Sequence, residues 1–155
     1  MAATSNTFGN QPMRKLQHGV SLIELIIVLL IVSILASVAY PSYRSYTRRA
    51  HRTEAKTALL QLQVAQEKYF LQNNAYAPTL NTDNLGLGYT SQTPETSNGY
   101  YTLNYTVGNP ATTYTVTATA NAKQNGDTNC IQFAINQTGA RSSYDSSGVA
   151  TTGCW

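Results

Sequence analysis

Residues 20–40 of this 155-residue chain read VSLIELIIVLLIVSILASVAY, and this stretch decides how the chain is organised. It contains one charged residue, Glu24, and neither glycine nor proline until Pro41 follows it. A helix rises about 1.5 Å per residue, so these residues can cross the roughly 30 Å hydrocarbon core of a bilayer. The sequence therefore predicts a membrane-inserting helix at residues 20–40.

A short basic segment, MRKLQHG at residues 13–19, precedes the apolar stretch. No small-residue A-x-A site follows the stretch, which is also longer than the apolar region of a secretory signal peptide. The string from Gly19 to Glu24, GVSLIE, resembles the class III leader of type IV pilins and related pseudopilins. It departs from that family at Val20, where phenylalanine is usual, and at Ser21, where threonine is usual.

This resemblance implies a processing site. In the family a prepilin peptidase cuts after the glycine and methylates the new terminal amine. Gly19 and Val20 are therefore the expected cleavage site, and Val20 is the expected N-methylated residue. Pro41 lies where the family usually has a helix-kinking proline, and Tyr43 lies where it has a nearby tyrosine.

Glu24 is the one charged side chain of the apolar stretch. A carboxylate inside a membrane costs at least about 2.5–3.5 kcal/mol, so it needs a partner. The Val20 amine of a neighbouring subunit, exposed by cleavage, would neutralise it within a bundle of apolar helices. Such a pair would fix the axial register of the helices. The alternative is a carboxylate that stays protonated or reaches the membrane interface, because Glu24 lies only one turn into the stretch.

The resemblance, together with the apolar stretch, implies three parts of the chain. Residues 1–19 are the expected leader peptide, and we expect translation to start at Met13. Residues 20–40 are the expected transmembrane and filament-core helix. Residues 41–155 are the expected globular domain, which is long enough for one compact core.

The helix is predicted to continue through residues 41–73, the amphipathic half that belongs to the globular domain. Pro41 removes one helical hydrogen bond, so we expect a bend there. Beyond Pro41, an apolar stripe at helical spacing predicts packing of the helix on a sheet. The members of the stripe are Ala55, Leu59, Leu62, Ala65, Gln66 and Tyr69.

Positive charge follows the apolar stretch more strongly than it precedes it. Only Arg14 and Lys15 come before, so the positive-inside rule taken alone would place the C-terminal domain in the cytoplasm. The leader and the two cysteines argue for the opposite side. The later cations are either a solvated helix face or available to acidic groups of neighbouring subunits. They are Arg44, Arg48, Arg49, Arg52 and Lys56.

After residue 100 the apolar period changes from helical spacing to strict alternation. Three amphipathic runs follow, around 101–107, 113–119 and 130–136, with a turn at Gly108-Asn109-Pro110 between the first two. A fourth short strand is expected near Arg141 to Tyr144. The fold class is therefore α+β, a pilin-like arrangement in which a long N-terminal helix packs on a three- to four-stranded antiparallel sheet.

Cys130 and Cys154 are the two cysteines of the chain. An isolated pair in a chain that crosses a membrane favours a disulfide in an oxidising compartment. It would close a loop of about 25 residues, worth about 3–4 kcal/mol in the chain-entropy estimate. Two reduced thiols or half of a metal site is the alternative. The C-terminal loop resembles the D-region of pilins, and its closing Cys154-Trp155 is similar to the PilE/ComP branch of minor pilins.

No catalytic pattern is present, since the sequence has no carboxylate pair, phosphate-binding loop or metal-ligand spacing. We therefore expect a non-enzymatic protein without a cofactor. The resemblance implies a structural subunit of a type IV pilus, most similar to minor pilins, serving adhesion, twitching motility or DNA uptake. Its expected partners are other pilin subunits, the prepilin peptidase, the pilus assembly machinery and the bacterial inner membrane. Before assembly the chain would lie in the inner membrane with its globular domain on the periplasmic side, and after assembly it would lie in the extracellular filament.

Two alternatives share the same N-terminus. A ComP-like DNA-uptake receptor would bind DNA phosphates through lysine and arginine. From Thr57 onward, however, three cations stand against five acids, a net charge of −2, so DNA is not the favoured partner. A pseudopilin of type II secretion is the other alternative, but such proteins often hold their C-terminal loop with calcium rather than with a disulfide such as Cys130–Cys154.

Overall fold

The computed structural model of the protein describes residues 19–81, 85, 87–108 and 111–155. The predictions for the leader before Gly19, including the start at Met13, and for the turn at Asn109-Pro110 lie outside the described residues. One helix and four strands form the fold, which confirms the predicted α+β class. They are α1 (Leu22–Asn73), β1 (Tyr101–Val107), β2 (Tyr114–Ala120), β3 (Gln132–Asn136) and β4 (Arg141–Tyr144). The chain forms two compact units, one up to Tyr40 and one of Pro41–Trp155.

The described part of the first unit is an apolar helical segment with exposed side chains. Helix α1 begins at Leu22, and the Ser21 carbonyl accepts the N–H of Leu25 at 3.1 Å. The side chains from Leu22 to Val38 are exposed, although most are leucine, isoleucine or valine. By length and composition, α1 contains a segment able to cross a membrane. The bare apolar surface needs an apolar environment that this unit does not supply itself.

The two internal serines of this segment are satisfied within the helix. Ser33 Oγ donates to the Leu29 carbonyl at 2.7 Å, and Ser37 Oγ donates to the Ile34 carbonyl at 2.7 Å. A hydroxyl bonded to its own backbone needs no water, so these residues are compatible with a hydrocarbon surrounding.

Within the second unit, the stripe predicted on α1 is the buried face of the helix. Ala55, Leu59, Leu62, Ala65 and Gln66 are all buried, and so is Ala58. Tyr69 was expected in the same stripe but is only half-buried, and it packs against a smaller cluster at its side. Positions three and four apart lie on one helical face, so the spacing alone identified the face that packs on the sheet.

The sheet is an antiparallel meander with the strand order β1-β2-β3-β4. Tyr101 pairs with Ala120 at one end of the β1–β2 ladder, and Val107 pairs with Tyr114 at the other. Alternate residues of each strand point toward the helix, as the period of two requires. The side chains that build this core from the sheet are Tyr101, Leu103, Tyr114, Val116, Ala118, Phe133 and Ile135.

The connection between α1 and β1 is fastened by side chains rather than by regular structure. The buried Gln66 amide oxygen accepts the N–H of Ala77 at 3.0 Å, and the Tyr105 hydroxyl donates to the Ala77 carbonyl at 2.6 Å. The Tyr76 ring contacts Phe70 and Tyr114, with centroids 4.7 and 4.6 Å away. The described part of this long segment is therefore an ordered layer of the domain.

Candidate functional site

The predicted processing residues lie at the open end of α1. Gly19 and Val20 are exposed and precede the helix, which begins two residues after Val20. Glu24 is exposed and lies in the first helical turn. A negative side chain at this position interacts favourably with the unpaired N–H groups of the helix N-terminus. The helix dipole thus offers Glu24 a favourable interaction that the sequence argument did not consider.

Pro41 lies inside α1, at the first residue of the second unit. Because proline has no N–H, the carbonyl of Ser37 loses its helical donor there. The expected bend at Pro41 stays a prediction.

The loop between β2 and β3, residues 121–131, is held against α1 by an ion pair. Arg52 Nε and Nη2 donate to the two carboxylate oxygens of Asp127, each at 2.7 Å. The Asp127 side chain is 4% exposed and the Arg52 side chain is 17% exposed. This forked geometry is the strong form of an arginine–carboxylate pair. Because the pair is shielded from water, removal of either partner would leave the other charge without compensation and would destabilise the fold.

The buried Gln124 side chain completes this contact. Its Nε2 donates to the Arg48 carbonyl at 3.0 Å and faces an oxygen of Asp127 at 3.4 Å. Its Oε1 therefore faces His51 Nδ1, 2.9 Å away, which must carry the proton. The His51 ring stacks on Tyr100 with the centroids 3.7 Å apart. The loop is thus fastened to two turns of the helix.

The environment shifts the ionisation of several groups around this contact. The hydrogen bonds to Asp127 raise the pKa of Arg52, against the opposing effect of burial. Burial, and next the charge of Asp127, raise the pKa of Tyr101 to about 12. Burial raises the pKa of Glu54, but hydrogen bonds from Thr96 and Asn98 outweigh it, so this pKa lies below its ordinary value. Arg52 is therefore charged, and Tyr101 neutral, across the physiological range.

Arg48 lies over a glycine of the same loop. A Cβ atom on Gly126 would stand 2.9 Å from Nη2 of Arg48 and 3.2 Å from its Cζ. Any larger side chain at Gly126 would push the guanidinium away. The loop sequence therefore determines where Arg48 lies.

Cys130 and Cys154 form a disulfide with the Cα atoms 5.8 Å apart. It joins the end of the β2–β3 loop to the C-terminal segment. That segment is also held by Trp155, whose Nε1 donates to the Ser142 carbonyl at 2.7 Å and whose ring packs on Phe133. The disulfide therefore closes a tail that already packs on the sheet.

The sequence did not identify the partner of Arg52. It allowed two alternatives, a solvated helix face or pairing with acidic groups of neighbouring subunits. The partner is Asp127 of the same chain, separated by 75 residues. No local spacing rule links such a pair. The available signal was an acidic residue, Asp127, in a turn-rich loop three residues before Cys130.

Among the described residues, no group of three His, Cys, Asp or Glu side chains could hold a metal ion. A cavity of about 630 Å³ forms an open groove along α1. It is lined mainly by apolar groups, including Leu60, Val64, Leu85 and Leu87. The groove thus offers an apolar surface for packing.

Two sequence profiles match the chain. The profile described as a prokaryotic N-terminal methylation motif matches residues 14–40. The profile described as type IV minor pilin ComP, DNA uptake sequence receptor, matches residues 41–134, more than half of the chain. The chain belongs to this type IV minor pilin family. The predicted resemblance is therefore confirmed.

A solved structure agrees with the fold of this minor pilin. The high-resolution structure of a type IV pilin from Shewanella oneidensis matches with a TM-score of 0.50 and 19% sequence identity. The match covers 70% of this chain and 97% of that chain. At this identity the likeness shows the fold alone. No curated protein matches the chain.

Membership of the family makes the protein a subunit of a type IV pilus, as the sequence predicted. The family and the fold are structural rather than enzymatic. Assembly with other pilins and processing by a prepilin peptidase are the partner classes that the family implies. The apolar α1 and the methylation motif are consistent with anchoring in a membrane before assembly.

We predict that the variant Asp127→Asn lowers the free energy of unfolding by about 3 kcal/mol, because it leaves the Arg52 charge poorly paired. Urea unfolding of the detergent-solubilised chain, followed by near-ultraviolet circular dichroism, measures the loss. The double variant Arg52→Met/Asp127→Leu is the control, and its loss should be smaller since neither charge remains. An equal loss in both variants would show that the ion pair is not what holds the loop.

Proposed function

We propose that the minor pilin is cut between Gly19 and Val20 and methylated on Val20, and that its globular domain then lies outside the cytoplasm. The match of the methylation motif to residues 14–40 carries this proposal. The exposed position of both residues ahead of α1 supports it, because a peptidase needs an extended, accessible backbone. The disulfide between Cys130 and Cys154 supports the oxidising side of the membrane.

Glu24 sets the register of assembly in this proposal. The side chains around it, from Leu22 to Leu29, are apolar and exposed, so packing of several such helices would remove Glu24 from water. The methylated Val20 amine of an adjacent subunit is the cation that cleavage creates at the matching end of the helix. One buried polar pair in an otherwise uniform apolar bundle distinguishes the correct stagger from all others.

The locations of the helix and of the globular domain follow from the proposed processing and assembly. Residues 20–40 lie in the inner membrane before assembly and in the filament core afterwards. The globular domain, residues 41–155, forms the filament surface and performs no catalysis. The assembly machinery transfers the subunit between these environments, and the other pilins are its neighbours.

We expect the intact mass of the membrane-extracted protein to be that of a chain beginning at N-methyl-Val20. Before reduction it should be lighter by two hydrogen atoms, because of the disulfide. The variant Gly19→Leu should remain uncut, whereas Val20→Phe, which introduces the residue usual in the family, should be processed normally. An uncut wild-type chain with free thiols would contradict the proposal.

The variant Glu24→Gln should be cut and inserted normally but should be depleted from purified pili by more than about tenfold, because the Val20 amine loses its buried partner. Immunoblotting of sheared pili against the membrane fraction measures this ratio. Ser33→Ala is the control, since the Ser33 hydroxyl bonds only the Leu29 carbonyl of its own helix. Wild-type incorporation of Glu24→Gln would exclude a role of Glu24 in register.

A second candidate function is binding of DNA during uptake, which the family description favours. The matched region, residues 41–134, includes β1, β2 and part of β3. Against it stands the net charge of −2 from Thr57 onward. The exposed cations on the sheet side are few. Lys123 lies with its Nζ 3.2 Å from the Asn98 carbonyl, and Arg141 lies 5.2 Å from the ring of Trp155.

If DNA binds here, its affinity should depend only weakly on salt, because few phosphates are neutralised. The slope of log K against log salt concentration should change by about 1 for each of Lys123→Gln and Arg141→Gln, and not for Lys68→Gln on α1. Electrophoretic mobility shifts of a labelled duplex, with the detergent-solubilised full chain, measure the slopes. Absence of binding at low salt would exclude this function and leave the pilus subunit unaffected.

A further inference from the structure

The positive charge of the second unit is concentrated at its beginning. Five cations and one acid, Glu54, lie within residues 44–56, whereas acids outnumber cations from Thr57 onward. The five are Arg44, Arg48, Arg49, Arg52 and Lys56. The first of them follows Tyr40, the end of the apolar stretch, by four residues. The domain is therefore basic next to the membrane-inserting stretch and acidic beyond.

Three of these arginines occupy one side of the helix. Arg44, Arg48 and Arg52 are spaced four residues apart, so they lie on a common face. The same face becomes apolar from Ala55 onward, where it is buried in the domain. The helix face thus changes from a basic surface to a core surface at Arg52.

The nearby carboxylates are already used. Asp127 binds Arg52 through both oxygens. Glu54 accepts the backbone N–H and the side-chain amide of Asn98, at 3.0 and 2.6 Å. Within the part of the chain that the structure describes, no carboxylate lies in ion-pair contact with Arg48 or Arg49.

Exposed tyrosines lie on the same helical turns as these arginines. Arg48 lies over Gly126, and Arg49 Nη2 donates to Ser45 Oγ at 3.3 Å. Tyr43 and Tyr46 are each 70% exposed on the same turns. Exposed tyrosine beside arginine is the composition that proteins place at the boundary between hydrocarbon and water.

We infer that Arg44, Arg48 and Arg49 bind the phosphate groups of anionic phospholipids at the bilayer surface next to residues 20–40. The inference rests on the proposed membrane insertion of that stretch. Arginine matches phosphate with a forked pair of donors, and basic residues beside a span gain affinity for anionic lipid. DNA is a weaker candidate for this cluster, because a duplex would have to approach the bilayer surface.

Lipid binding also addresses the conflict with the positive-inside rule. By that rule, arginines after the span oppose translocation of the domain. Anionic headgroups on the far side would offset that opposition by neutralising the cluster once it has crossed. They would also retain the subunit at the membrane until assembly withdraws it.

The test uses the full chain in phosphatidylcholine bilayers that contain a trace of spin-labelled phosphatidylglycerol or spin-labelled phosphatidylcholine. Electron paramagnetic resonance gives the fraction of each lipid immobilised by the protein. We expect a preference for phosphatidylglycerol of at least about fivefold, the effect of one basic residue at the surface, which is lost in Arg44→Gln/Arg48→Gln/Arg49→Gln. The control Lys56→Gln/Lys68→Gln/Lys123→Gln removes the same charge elsewhere and should keep the preference.

A second variant guards against misfolding. Arg44→Gln/Arg49→Gln changes only exposed side chains and leaves Arg48 over Gly126, and it should lower the preference below that of the wild type. Immobilised lipid without headgroup preference, or an equal loss in the lysine control, would overturn the inference. Absence of any immobilised lipid would instead reject the proposed insertion of residues 20–40.

Two competitor anions distinguish binding of lipid by the arginine cluster from binding of other anions. Duplex DNA or inorganic phosphate is added at matched ionic strength, with sodium chloride as the reference. Displacement of phosphatidylglycerol equal to that by sodium chloride supports binding at the bilayer surface. Stronger displacement by DNA would assign the cluster to nucleic acid, and stronger displacement by phosphate would assign it to a discrete anion site. Either result would overturn the inference.

Discussion

One helix that must suit two environments is the constraint on which this structure depends. From Leu22 to Val38 most of its side chains are apolar, and they are exposed in the part of the chain that the structure describes. From Ala55 onward only one stripe is apolar, and it is covered by the sheet. The residues between them must fit both settings, and it is there that the proline, the tyrosines and the arginines are gathered. The globular domain is therefore built around the second half of a helix whose first half leaves its apolar side chains exposed.

Periodicity predicted most of this arrangement. Alternation predicted neighbouring strands around residues 101–107 and 113–119, which are β1 and, one residue later, β2. Helical spacing predicted the buried face around Leu59 and Leu62. Both patterns record which side of an element meets the core. The N-terminal motif indicated the family because it is a contiguous string. In each case the information is local in sequence, so it can be read without knowing the fold.

What could not be predicted depends on distant residues. Arg52 and Asp127 meet because the β2–β3 loop folds across the helix, and neither residue carries a local sign of the other. The orientation of the Gln124 side chain could not be predicted from the sequence either, since it depends on acceptors from both the helix and the loop. Polar contacts between separate elements are set by three-dimensional geometry, whereas apolar periodicity is set within one element.

The disulfide has a consequence for a subunit that carries tension. Cys130 and Cys154 are separated by 24 residues, which could extend to about 80 Å as a free chain at roughly 3.3–3.6 Å per residue. With the bond closed, a load applied between α1 and Trp155 passes directly from one sulfur to the other. The enclosed segment, which includes the whole of β3 and β4, adds no contour length under force. Its strands can be dislodged from the sheet, yet they cannot be drawn out along the line of pull.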